Sequence, residues 1–251
     1  MIDPIYYSWN LSPVTWTLTG ISLVSVLLLI FIWAWRARRL WRRAAADNSA
    51  PMPADEAFPA VSVVVLARGD SRNLATLLPD ILHQDYPAPF VGIVVNHEES
   101  ASTADVVGSL QLSHPNLYMT YVPEHARSLS RRKLSITLGI KAARHPFVAL
   151  TEGSAHIQTP LWLKSMMRHT VMGKELVIGF ATDVDQPDPE QPKQMRGARL
   201  RNFDRLWNAV RWLPRAISHR PYRGTGANLV YSRELFFNHK GFSSTLNMVY
   251  G

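Results

Sequence analysis

The sequence contains no cysteine. That excludes a disulfide scaffold and thiolate metal sites, and it fits a reducing compartment. Charge is also missing from a long stretch: no Asp, Glu, Lys or Arg occurs between Pro4 and Trp35. There is no internal repeat, no helix-turn-helix pattern, no zinc-ligand spacing and no aromatic RNA-binding consensus. Acidic residues are outnumbered, 19 against 27 Lys and Arg, for a net charge of +8. Five of those cations (Arg36, Arg38, Arg39, Arg42 and Arg43) form one cluster directly after the uncharged stretch. The basic excess is therefore in part a membrane-topology signal, and no nucleic-acid partner is expected.

What is present is 47% hydrophobic and 18% charged residues, a balance that suits a folded domain plus a membrane segment. Val14 to Trp35 rises about 33 Å as a helix, enough to cross a hydrocarbon core of about 30 Å. Trp16, Trp33, Trp35 and Trp41 lie near its ends, where indoles favour the interface. A cleaved signal peptide would carry its positive charge before the apolar run; here the arginines follow it. The positive-inside rule then places Met1 outside and Arg36 onward in the cytoplasm, as for a single-pass protein of a bacterial inner membrane. Residues 1–43 read as the anchor with its basic flank. Residues 44–59 are small, polar and proline-containing, and read as a linker. A domain follows over 60–251.

In that domain strands and helices alternate. Val61–Ala67 (VSVVVLA) is a continuous β-branched run, as expected of a strand buried on both faces. Helix is expected over 72–84, with Pro79 kinking or ending it. Further strands are expected over 90–96, 117–122, 147–151 and 176–181. Helices are expected over 104–112, 129–144 and 196–218, and a helix beginning in 160–170 has proline in its first turn. This alternation predicts a mainly parallel α/β sheet with helices on both faces. Ligands bind such sheets at the carboxyl ends of the strands, here just after residues 67, 96 and 151. In the last long helix, apolar Leu200, Phe203, Leu206, Trp207, Val210 and Leu213 alternate with five arginines. It reads either as a helix packed on the domain with a solvated basic face, or as an interfacial helix on an anionic membrane.

Four segments resemble the family 2 glycosyltransferases, in the family's order. They are PAVSVVVLARGDSRNLATLLPDILHQDYP, VGIVVNHEESASTADVV, RRKLSITLGIKAARHPFVALTEGSAHIQTPLWLKSM and PYRGTGANLVYSRELFFNHKGF. The resemblance covers roughly residues 59 to 251. It implies a GT-A (Rossmann-like) fold that transfers sugar from a nucleotide-diphosphate sugar, as in polysaccharide biosynthesis. It also implies a divalent cation, Mn or Mg, held by carboxylates against the diphosphate. A further carboxylate would be the general base. Carried over position by position, the donor-binding set is Ala67, Arg68, Asp70, Asn96, His97, Arg132, Lys133, Glu152 and Ser154. The acceptor side is Arg223, Gly224 and Asn228. Glu152 is the one candidate metal ligand.

The family pattern is broken at several of these positions. Where the family has Asn-Glu after the first strand, this chain has Gly69-Asp70. The Asp expected after Asn96 is His97. The family's Asp-x-Asp is Glu152-Gly153-Ser154, which leaves one carboxylate. The acidic pair that carries the base would fall just beyond Tyr250-Gly251. Asp183-Val184-Asp185 is a literal Asp-x-Asp, but it follows the fifth strand and reads as a solvated loop. Two readings stay open at this stage: a transferase homologue, either divergent or part of a longer chain, and a non-catalytic nucleotide-sugar-binding or scaffold protein beside a partner protein. Leu229, Phe236 and Phe237 are expected to lie partly uncovered.

Overall fold

The computed structural model describes residues 12–68, 71–97, 99–123, 130–182 and 193–248. The chain divides into two compact units. One comprises the N-terminal helix and Phe203–Tyr222; the other comprises Pro51–Asn202 and the residues from Arg223 onward.

In the first unit, α1 runs Pro13–Ser49. Ser12 caps it, accepting from the Thr15 amide at 3.3 Å, and Pro13 stands at the first helical position, where its missing N–H costs nothing. Thr17, Thr19 and Ser25 return their hydroxyls to carbonyls three or four residues back. Each hydroxyl is thus satisfied within the helix. α1 is long and apolar enough to cross a membrane. It continues six residues into the stretch read as linker. Ala44, Ala45 and Ala46 are strong helix formers, and the helix stops only where Pro51 forces Ala50 into extended backbone. The rest of this unit is the greater part of α6 (Lys193–Ile217) and the residues that follow it.

The second unit holds a six-stranded sheet in the order β3-β2-β1-β4-β6-β5. Its strands are β1 (Val61–Ala67), β2 (Phe90–Asn96), β3 (Leu117–Tyr121), β4 (Phe147–Glu152), β5 (Leu176–Ile178) and β6 (Asn228–Ser232). Four are parallel. β6 inserts antiparallel between β4 and β5, so the sheet is mixed. β1 is central and every one of its residues is buried, so its alternate side chains feed two cores. Val61, Val63 and Val65 pack with Leu74, Leu77, Leu78, Leu163 and Met167 from α2 (Ser71–Leu82) and α5 (Trp162–Val171). Val64 and Leu66 pack on the other face with Ile93, Ile136, Ile140 and Leu150, two of them from α4 (Arg131–Ala142). α3 (Ala101–Gln111) adds Val107 to the first core.

Two expected bounds are corrected here. α2 runs on past Pro79 and ends at Leu82 rather than 84. β5 stops at Ile178 rather than 181, because its only strand partner among the described residues is the short β6. Leu229 and Phe236 are only partly buried: both pack against the second core, and Phe236 stacks on Tyr231 with ring centroids 6.0 Å apart and meets Phe242 edge-on. Phe237, in α7 (Arg233–Asn238), stays 42% exposed.

Candidate functional site

Register assembles the site. Ala67 pairs with Asn96, Leu66 with Glu152, and Thr151 with Asn228. The carboxyl ends of β1, β2 and β4 and the start of antiparallel β6 therefore share one edge, with neighbouring strands about 4.8 Å apart. Gly153 makes the β1–β4 end tight. Its amide donates to Leu66 O at 2.9 Å, and a Cβ there would lie 3.2 Å from Ala67 Cα.

Three consecutive basic residues open α4 at this edge, and about 100° of helical rotation per residue sends each to a different neighbour. Arg131 Nη2 donates to His97 O at 3.1 Å. Arg132 forms an ion pair with Glu152. Lys133 turns away, donating to Thr245 O at 2.9 Å and Met248 O at 3.1 Å. Its ammonium thus ties down the turn after α7 and is not presented at the edge.

Asn96 is fully buried and works within its own loop. Its Oδ1 accepts from the Ser100 amide at 3.0 Å and its Nδ2 donates to Ser100 O at 2.9 Å. It thereby shapes the turn that presents His97, whose amide donates to Ala67 O at 2.9 Å. Asn228 is likewise engaged: Oδ1 accepts from Trp162 Nε1 at 3.1 Å and Nδ2 donates to Phe180 O at 3.3 Å. Arg68, Ser154 and Arg223 are exposed, and Gly224 packs beside Leu229. Asp70, Asp183 and Asp185 lie outside the described residues.

Gly226 brings the 223–228 loop onto Arg132: a Cβ there would stand 3.2 Å from Nη2. Two contributors near this loop were not read from the sequence. Thr225 buries its hydroxyl beside Gly226 without a hydrogen-bond partner among the described residues. Trp162 positions Asn228. The only advance signal was the pair of glycines at 224 and 226.

A divalent cation of the kind expected would need hard oxygen ligands at this edge. At the end of β4 the carboxylate is Glu152, and its charge is already met by Arg132. No group of three His, Asp or Glu side chains suited to a metal occurs among the described residues. These residues do not fit a carboxylate-held cation; they fit an anion met by guanidinium groups at a helix N-terminus.

No protein-family model and no curated protein matches the chain. Solved structures do. The mannosyltransferase PcManGT from Pyrobaculum calidifontis, in complex with GDP-Man and Mn2+, is 18% identical, with a TM-score of 0.54 over 89% of this chain and 59% of its own. S. aureus TarS 1-349 gives 17% identity and a TM-score of 0.48 over 71% of this chain and 48% of its own. Glucosyl-3-phosphoglycerate synthase from Mycobacterium tuberculosis, in complex with UDP, gives 14% and 0.46, over 72% and 60%. The chain therefore spans about half to three fifths of the chains it resembles. With its mixed, mainly parallel sheet, the second unit has the GT-A glycosyltransferase fold.

Proposed function

We propose that this protein is a membrane-anchored homologue of the family 2 glycosyltransferases. It takes a nucleotide-diphosphate sugar at the carboxyl edge of its sheet, on the cytoplasmic side, for transfer to an acceptor. The observation that carries the reading is the convergence, in a GT-A fold, of the ends of β1, β2 and β4 with the start of α4 and the 223–228 loop. In this reading Arg132 meets the diphosphate, exchanging the Glu152 carboxylate for phosphate oxygens, and its ion pair with a carboxylate at this edge supports the role. The α4 N-terminus adds a favourable dipole.

A second reading, a non-catalytic nucleotide-sugar-binding or scaffold protein beside an active partner, is favoured by one observation. The single carboxylate after β4 is held by Arg132 instead of being open to a metal. A radiolabelled-donor assay on the full chain in membranes separates the two. Release of free sugar or sugar transfer supports the first reading, binding without turnover supports the second, and absence of both sinks the shared premise.

Residues 1–43 are proposed as the anchor, 44–59 as the connection and 60–251 as the transferase-like domain, with the N-terminus outside. A cytoplasm-dependent reporter fused after Gly251 should be active, and a periplasm-dependent one silent. Neutralising Arg36, Arg38, Arg39, Arg42 and Arg43 together should give mixed orientation. Activity of the periplasmic reporter on the unaltered chain would refute this topology.

A further inference from the structure

Within the first unit, α1 and α6 each carry aromatic rings followed by arginine along one side. On α6, Phe203, Trp207, Arg211 and Arg215 recur every fourth residue, which stacks them on one helix face. On α1, Trp33 and Arg36 stand three residues apart. The aromatic levels meet: Trp33 and Trp207 stack with centroids 5.5 Å apart, and Phe203 stacks on Trp207 at 6.1 Å. About one turn further along both helices the basic levels meet as well. Arg36, Arg211, Arg215 and Tyr222 line one open cleft of about 360 Å³. The Arg215 guanidinium carbon lies 5.9 Å from the Tyr222 ring centroid.

No carboxylate pairs with Arg36, Arg211 or Arg215 among the described residues. Three like charges drawn into one cleft repel one another unless an anion sits among them. On α1 the level before them is bare and apolar, the side chains from Val14 to Ile32 being exposed throughout; on α6 Phe203 is 61% exposed, with charged Asp204 and Arg205 following it. Along α1, bare hydrocarbon, then indole rings, then guanidinium groups is the order of layers met on leaving a bilayer: acyl chains, interface, headgroup phosphates.

We propose that this cleft binds the phosphate of an anionic phospholipid headgroup, with the acyl chains lying along α1 and the Phe203–Trp207 face of α6. Guanidinium groups match phosphate oxygens in paired hydrogen bonds, and the Tyr222 hydroxyl supplies another donor. The site would fix the depth of α6 at the interface, a role that sugar transfer does not require of it. It rests on the membrane reading above.

The test uses the full chain in a neutral detergent. Dioctanoyl phosphatidylglycerol, dioctanoyl phosphatidylcholine and inorganic phosphate are titrated separately, read by tryptophan fluorescence and by lipid retention in native mass spectrometry. Phosphatidylglycerol is expected to bind about tenfold or more tightly than the other two. Arg211→Gln with Arg215→Gln should abolish that preference. Arg38→Gln with Arg42→Gln, an equal charge change outside the cleft, should preserve it. Arg36→Gln alone, which leaves α6 untouched, should lower it severalfold and guards against misfolding of the double variant. Equal binding of phosphatidylcholine, equally tight binding of inorganic phosphate, or the same loss from both double variants overturns the proposal. Extraction of the chain from membranes by alkaline carbonate would instead sink the anchor, leaving the detergent result to stand by itself.

Discussion

Arg132→Gln is expected to weaken binding of a nucleotide-diphosphate sugar by roughly tenfold to a hundredfold, whereas Glu152→Gln is expected to strengthen it. The opposite signs follow from the ion pair. In the free protein Glu152 occupies the guanidinium that the diphosphate needs, so removing its charge removes a competitor. Removing the guanidinium forfeits a charged hydrogen bond worth about 1.5–3 kcal/mol, which sets the size of the first effect. Addition of Mn2+ or of a chelator should change affinity by less than about twofold, because Glu152 belongs to no group of three His, Asp or Glu side chains suited to a metal among the described residues. Calorimetric titration with uridine- and guanosine-diphosphate sugars measures all three. If Glu152→Gln abolishes binding and the unaltered chain is strongly Mn2+-dependent, Glu152 is a metal ligand and the arginine reading fails.

The second large effect concerns how tightly α4 sits on the sheet. A Cβ at Gly139 would stand 2.4 Å from Val64 Cγ1 and 3.1 Å from Val95 Cγ2. Both valines are fully buried in the centre of the sheet and have nowhere to go. Alanine would contribute about 1 kcal/mol of helix propensity. Against that, overpacking costs about 1–3 kcal/mol, so Gly139→Ala should destabilise on balance and Gly139→Val should prevent a stable fold. Gly108 in α3 is the control. Nothing lies within 4 Å of a Cβ there, so Gly108→Ala should raise stability by up to about 1 kcal/mol. Thermal unfolding of the full chain in detergent reads both, at about 2–4 °C per kcal/mol for a domain of this size. A Gly139→Ala variant as stable as Gly108→Ala would show that α4 can lift off the sheet freely.

The strands that carried unbroken β-branched runs were legible to the residue. Val61–Ala67 and Phe90–Asn96 match the expected limits because burial on both faces favours apolar residues along them, and the buried polar exceptions, Ser62 and Asn96, are hydrogen-bonded. Asn228–Ser232 was not foreseen as a strand. Five residues following two glycines look like the end of a loop, and nothing local announces an antiparallel partner some 80 residues earlier in the chain. The site was legible as a place but not as a set of contacts. Arg132 and Lys133 are neighbours in sequence, yet one faces Glu152 and the other two carbonyls past α7. That difference is decided by helix rotation and by the packing of distant turns. Asn96 and Asn228 matched family positions, and both satisfy neighbouring parts of the chain.

The insertion of β6 between β4 and β5 sets an order of events during synthesis. β1 to β4 can pair as they leave the ribosome, but β5 has no strand to pair with until Asn228–Ser232 emerges, roughly 50 residues later. Until then the outer side of β4, an apolar strand, remains an open template for any other extended chain. All of α6 is made in that interval. Were α6 to settle on a lipid surface first, it would draw the incoming β6 back toward the bilayer while the sheet still lacks its last partner. The nascent chain's most aggregation-prone moment would then fall within reach of a membrane that can capture it.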